Sequence, residues 1–237
     1  MSAASPEVKA VEVPFEFRHS CWFCGEPYAT YFTFPPAQSS RYELDRHIVL
    51  DCPHPTLAIQ TCNECCAIAS KARCASIFQV KQFVKGALIK QYRKDLAIGI
   101  NWTPQSLAES EFEHGNFAGF QRSAWFMYEV AKARVNYQAW PIIVDGIQIQ
   151  DTEIHTEFLF DDVYYPSISD AVKHYAKTFA LDEHYFSAVL QHMWQVTGGI
   201  NLADVSSSTF AKAVRFCRLL VGSTPDERKR AFKALTR

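Results

Sequence analysis

The stretch HSCWFCGEP, residues 19–27, sets Cys21 and Cys24 on either side of two aromatics and follows them with Gly25. Further along, TCNECC repeats the two-residue gap with Cys62 and Cys65. No other feature restricts the fold as much. A Cys-x-x-Cys turn aims two sulfurs to one side of a tight loop, and two such turns can close four thiolates around a single ion. Zinc suits that arrangement because it has no directional d-electron demand. A four-cysteine shell also leaves no open coordination position, so the ion would hold the fold rather than perform chemistry. The chain has eight cysteines, and its first residues, MSAASPEVKAVEVPFEF, lack a basic stretch followed by an apolar core. A cytoplasmic setting is therefore expected, in which thiols stay reduced or bind metal. Cys52, Cys66, Cys74 and Cys217 fall outside the pairs, and Cys74 and Cys217 read as small buried hydrophobes.

The rest of the chain alternates short extended pieces with helices. A disordered tail over residues 1–12 is expected to lead into a strand at Val13–Phe17. YATYFTF (28–34), RHIVLD and TLAIQT carry strand patterns. Helix formers begin at Asn63, with Ala67, Ile68, Ala72 and Ile77 as an apolar stripe. One long helix is expected over Val80–Ile98, where Val80, Phe83, Val84, Ala87, Leu88, Tyr92 and Leu96 recur at helical spacing. Thr103-Pro104 marks a helix start, and a further helix is expected at about Phe117–Gln138. Past Trp140 the texture changes. Asp145-Gly146 between apolar runs is a hairpin signature, and Asp161-Asp162 marks a second turn. Helices are expected from Ser169 to about Phe179, from Glu183 to about Val196 and from Thr209 to Leu220, followed by a short basic one capped by Thr224-Pro225. Gly198-Gly199 ends the second of these. No run of apolar residues is long enough to span a bilayer.

Charge is distributed unevenly behind a formal net of −1. Residues 101–170 hold eleven acids against three bases, whereas residues 205–237 hold eight bases against two acids. Residues 71–94 carry seven Lys and Arg and no acid. A nearly neutral total can thus conceal two basic surfaces.

The two cysteine pairs, with strands between them and a helix after the second, match a treble-clef finger. CWFCG, LDRHIV and TCNECC, in that order over residues 20–75, resemble the HNH nuclease superfamily, whose members often build the catalytic hairpin and helix around such a zinc. The resemblance puts His47 at the general-base position, with Asp45 and His54 as candidate ligands for a catalytic Mg2+ or Mn2+. The chain departs from the family elsewhere. Arg46 occupies the ligand position before the base, Leu57 stands where the family has Asn, and Cys66 where it has His. An arginine at a divalent-metal position repels the ion, so the resemblance favours a relative that does not cut.

A second resemblance covers about residues 142–191. VDG, YYPSISDAVKHYA and DEHYFSAVL are similar to the short DNA-binding repeat found beside HNH domains in intron-encoded and phage nucleases, with Ser167, Ile168 and Ala171 carrying the match. It implies a strand leading into a two-helix turn whose second helix enters a groove. Both resemblances suit a phage or mobile-element origin. The expected architecture is α+β: a zinc finger at 13–78, a helical region at 79–139, and a C-terminal domain at 140–237 made of a small hairpin and helices, winged-helix-like, with a boundary near Trp140. The expected work is binding nucleic acid, most simply DNA, or joining a nucleic-acid-processing complex, with no membrane role. Lys81, Lys85, Arg93, Lys212, Arg215 and Arg218 are the phosphate-contact candidates. A metal-dependent endonuclease and a protein–protein adaptor docking through the acidic middle are the alternatives.

Overall fold

The computed structural model describes residues 7–36, 52–109, 119–153 and 156–236. Among them are nine α-helices and seven strands in three small sheets, a mixed α and β architecture. The chain forms two compact units: Met1–Gln91 with Glu129–Ile154, and Tyr92–Tyr128 with His155–Arg237. The boundary expected near Trp140 therefore lies inside the first unit. Among the described residues no helix is long and apolar enough to cross a membrane.

The first unit is built on a three-stranded sheet. β1 (Lys9–Ala10) runs parallel to β3 (Leu57–Thr61), and β2 (Thr30–Phe34) pairs antiparallel with the other edge of β3, from Thr30 opposite Thr61 to Phe34 opposite Leu57. Val13–Phe17 is not a strand. Phe15–Phe17 forms a 3-10 turn instead, because Pro14 has no N–H to offer a ladder and its fixed φ turns the chain away. Phe32, Phe34, Leu57 and Ile59 are buried from the sheet. RHIVLD lies outside the described residues.

α1 (Asn63–Ala69) follows β3 at once, and α2 (Ile77–Gln91) buries Ile77, Val80, Val84 and Leu88 at helical spacing. β4 (Ile142–Val144) and β5 (Ile147–Ile149) make the hairpin announced by Asp145-Gly146, with φ values of 50° and 73° at those two residues. Both lie in the left-handed region that a two-residue hairpin turn demands. The hairpin is tied to the N-terminal segment by Glu12 N–H, which donates to the Ile143 carbonyl, and by the ion pair of Lys9 with Asp145.

The second unit begins with α3 (Arg93–Asn101). The single helix expected over Val80–Ile98 is thus two, broken at Tyr92. α4 (Pro104–Ala108) starts with the Thr103 capping box. α5 (Phe120–Val135) gives its residues up to Tyr128 to this unit and the remainder to the first. The hairpin of β6 (Phe158–Phe160) and β7 (Val163–Tyr165) turns at Asp161 and Asp162, both with positive φ. Then come α6 (Ile168–Thr178), α7 (Glu183–Val196), α8 (Ser207–Leu219) and α9 (Pro225–Leu235), capped in turn by Ser167, Asp182, Ser206 and Thr224. Each cap is a short polar side chain that accepts a first-turn N–H. The core is an aromatic cluster centred on Phe210, whose ring meets Phe158, Phe160, Tyr175 and Phe186 at centroid distances of 4.8 to 5.5 Å.

Candidate metal centre

The first cysteine pair sits in a knuckle closed at its base by the Ser20–Pro27 bridge. Inside it, Gly25 N–H donates to the Cys21 carbonyl at 2.9 Å and Cys21 N–H to the Glu26 carbonyl at 2.6 Å. Two further bonds, Trp22 N–H to Gln60 and Ala29 N–H to Thr61, fasten this knuckle to β3. Cys62 follows the last residue of that strand. Secondary structure alone therefore delivers the first pair beside the second.

Cys62 is also the N-cap of α1, and its sulfur accepts the Cys65 N–H at 3.4 Å. A helix start favours negative charge there through its unpaired amides. The four sulfurs all lie within 4.8 Å of one another, with Cys24 and Cys62 at 3.8 Å. A tetrahedral zinc with Zn–S bonds of about 2.3 Å has sulfur–sulfur edges of about 3.8 Å. A disulfide would need about 2.05 Å, and all four cysteines are free thiols. Among the described residues this is the one cluster of His, Cys, Asp and Glu placed to hold a metal ion.

The four thiols are coupled through hydrogen bonds among themselves. Cys21 is pushed up by its hydrogen bond to Cys24, and Cys65 by its bond with Cys21, whereas Cys24 and Cys62 are drawn down by the proton of Cys21. Four buried thiols this close cannot all ionise without a counter-charge. A divalent ion replaces their protons and lets all four ionise.

Two residues from the end of α5 and just beyond it complete the centre. Arg134 Nη2 lies 3.5 Å from the Cys24 sulfur and also meets the Glu64 carboxylate, while Nε stands 3.8 Å from Glu26. Burial works against its charge, but the bonds to Cys24 and Glu64 hold the guanidinium firmly protonated. Tyr137 packs its ring on Gly25, and its hydroxyl is held above the usual range by burial and then by the charges of Cys21 and Cys24. Gly25 has φ +75°, and a Cβ there would come within 2.7 Å of the Tyr137 ring. Gly25→Ala is therefore expected to destabilise the first unit by about 1–2 kcal/mol from the left-handed backbone and about 1–3 kcal/mol more from overpacking. A urea midpoint shift measured on the metal-loaded protein checks this.

The remaining candidates are scattered. Asp45 and His47 lie outside the described residues. His54 is buried and taken up by the fold: its Nε2 accepts the Ile77 N–H at 3.0 Å, and Nδ1–H donates to the Pro55 carbonyl at 2.9 Å. Both ring nitrogens are in use, so as placed here His54 has no lone pair to offer a metal. Burial also lowers its pKa, in keeping with a neutral ring that caps the start of α2. Lys81 stands 5.4 Å over the Trp22 ring, and Lys85 is half-buried on the same helix. Arg93 donates to the Lys177 carbonyl at 3.1 Å. Lys212 and Arg215 are exposed on α8, and Arg218 lies 4.1 Å over the Phe179 ring. α7, the second helix of the expected two-helix turn, has no Lys or Arg and buries Phe186, Val189 and Leu190. Arg134, Glu64 and Tyr137 carry no motif in the sequence; only the Gly following the first pair hints that something packs closely there.

No family model matches the chain, and no curated protein or solved structure matches it.

Proposed function

We propose that this chain binds nucleic acid without cutting it, on a scaffold whose first unit is organised by one structural zinc. The observation that carries the metal assignment is the set of four sulfurs within 4.8 Å of one another, one pair of them at the 3.8 Å edge that suits a zinc tetrahedron. Cys21, Cys24, Cys62 and Cys65 would hold the ion, and a shell closed by four thiolates has no position left for water or substrate. The ion then supplies folding free energy rather than a nucleophile.

The case for a polyanionic partner comes from the last two helices. α8 contains no acid and exposes Lys212 and Arg215, and α9 exposes Lys229, Arg230 and Lys233. Arg93 is held by the Lys177 carbonyl and Arg218 by the Phe179 ring, so Lys212 and Arg215 become the stronger phosphate candidates. Duplex DNA binding should weaken steeply with salt. Replacing Lys212 and Arg215 together by Ala should flatten the log–log salt slope by about 1.8, since each phosphate contact contributes about 0.9. Fluorescence anisotropy between low and moderate salt reads this directly. An unchanged slope moves the interface elsewhere, and no binding even at low salt gives the function to an adaptor. Supercoiled plasmid incubated with Mg2+ or Mn2+ should stay intact; nicking that is lost in His47→Ala would make the protein an endonuclease.

A further inference from the structure

We propose that Arg134 is the positioning residue of the metal centre, a fixed cation that sets how tightly the ion is held and how readily the Cys24 sulfur attacks electrophiles. The proposal rests on the four cysteines being a zinc site.

The anchors of Arg134 come from both halves of the site. Glu26 belongs to the knuckle that carries Cys21 and Cys24, and Glu64 stands between Cys62 and Cys65 at the start of α1. One guanidinium thus spans both halves of the site and touches a sulfur as well, with its side chain only 11% exposed. A zinc ion bound by four thiolates keeps a net double negative charge, and the two glutamates add to it. Arg134 is a cation in contact with both carboxylates and the Cys24 sulfur, and its own low exposure strengthens the contacts with Cys24 and Glu64 more than that with Glu26, whose side chain is 40% exposed. Its N–H groups also draw electron density from the Cys24 sulfur, which lowers the nucleophilicity of that sulfur. Lysine could carry the charge but has no planar fork to reach a sulfur and two carboxylates together.

The experiment uses the full-length, metal-loaded protein as wild type, Arg134→Met, Arg134→Lys, Glu64→Gln and, as a control for charge lost from the same helix, Arg122→Met. Zinc transfer to a chromogenic chelator gives the release rate. Limited alkylation with iodoacetamide, mapped by mass spectrometry, gives the order in which the cysteines react; in that step the thiolate sulfur displaces iodide, forming an S–C bond and leaving the ion one ligand short. Arg134→Met should release zinc about ten-fold faster or more, within the range of outer-shell substitutions at metal sites, with Cys24 modified first. Arg134→Lys should fall between it and wild type, and Arg122→Met should match wild type. If Arg134→Met does not fold, Glu64→Gln, which removes one anchor and keeps the guanidinium, should still accelerate release by a smaller factor. A zinc-bearing wild type whose Arg134→Met releases metal and reacts at the same rates overturns the proposal alone, as does an unaltered Glu64→Gln when Arg134→Met is unfolded. A wild type that carries no zinc overturns the site assignment, and the proposal with it.

Discussion

Cys65→Ser, or removal of the metal with a strong chelator, is expected to unfold the first unit. Cys65 has no exposed surface and Cys21 none, so a hydroxyl in place of either sulfur cannot relax outward. The sheet beneath is small: a two-residue strand and two five-residue strands, with a seven-residue α1 laid against them. A domain is stable by about 5–15 kcal/mol in total, and structural zinc supplies apparent binding free energies of about 10–16 kcal/mol in small fingers. Losing the ion therefore removes an amount comparable to the whole stability of the unit. Trp22 reports the outcome, because it is buried between the two ligands of the first pair and its indole N–H donates to the Trp140 carbonyl at 2.9 Å. Its emission should shift to the red, and the near-ultraviolet circular dichroism should collapse. Cys66→Ser, one residue outside the cluster, should retain one zinc per chain and the native spectra. If Cys65→Ser keeps its zinc and its unfolding midpoint, the four-sulfur site is wrong.

Acid should destabilise the second unit through His174. That ring is 4% exposed on α6, packed at steep angles against Tyr165 and Tyr175, and among the described residues neither of its nitrogens has a hydrogen-bond partner. Burial, and then the charge of Arg93 from α3, lower its pKa from 6.5 to about 4. The sign follows from which state takes the proton. In the unfolded chain His174 is protonated as pH falls through its ordinary value, whereas the native chain resists until pH 4 is reached. Its contribution is complete above pH 6.5, drains away between 6.5 and 4, and is gone below. The loss amounts to roughly 3 kcal/mol at about 1.36 kcal/mol per pH unit of separation. His174→Leu, which needs no hydrogen bond, should flatten this limb in urea titrations taken at successive pH values and gain stability at neutral pH. A limb equally steep in His174→Leu would place the titrating group elsewhere, with His54 of the first unit, also lowered by burial, the next to test.

What was legible in the sequence was what depends on near neighbours. Cys-x-x-Cys spacing is a local geometry, so both halves of the metal centre could be read directly. Helix caps are local too: Thr103-Pro104, Thr224-Pro225 and the Gly198 stop, at φ +85°, stand where their side chains or backbone freedom require. Asp145-Gly146 fixed a turn for the same reason. The break at Tyr92 left no trace, since neither Gly nor Pro interrupts Gln91, Tyr92 and Arg93 and none of the three is a strong helix breaker. The contact of Arg134 with Cys24 spans 110 residues and is written in no motif. His54 shows the opposite failure. Its sequence setting suggested chemistry, yet its lone pair is committed to a helix amide.

Cys62 ties two requirements to one atom. Its sulfur is at once a member of the four-sulfur cluster and the acceptor that begins α1. Serine or aspartate at that position would serve the amide but offer a hard oxygen to a borderline-soft ion. Histidine would satisfy the ion, but its ring would set the donor nitrogen farther from the backbone than the sulfur it replaced. The start of α1 would thus move with that sulfur, so that an ion of different radius held by the four cysteines would be felt at the first turn of the helix.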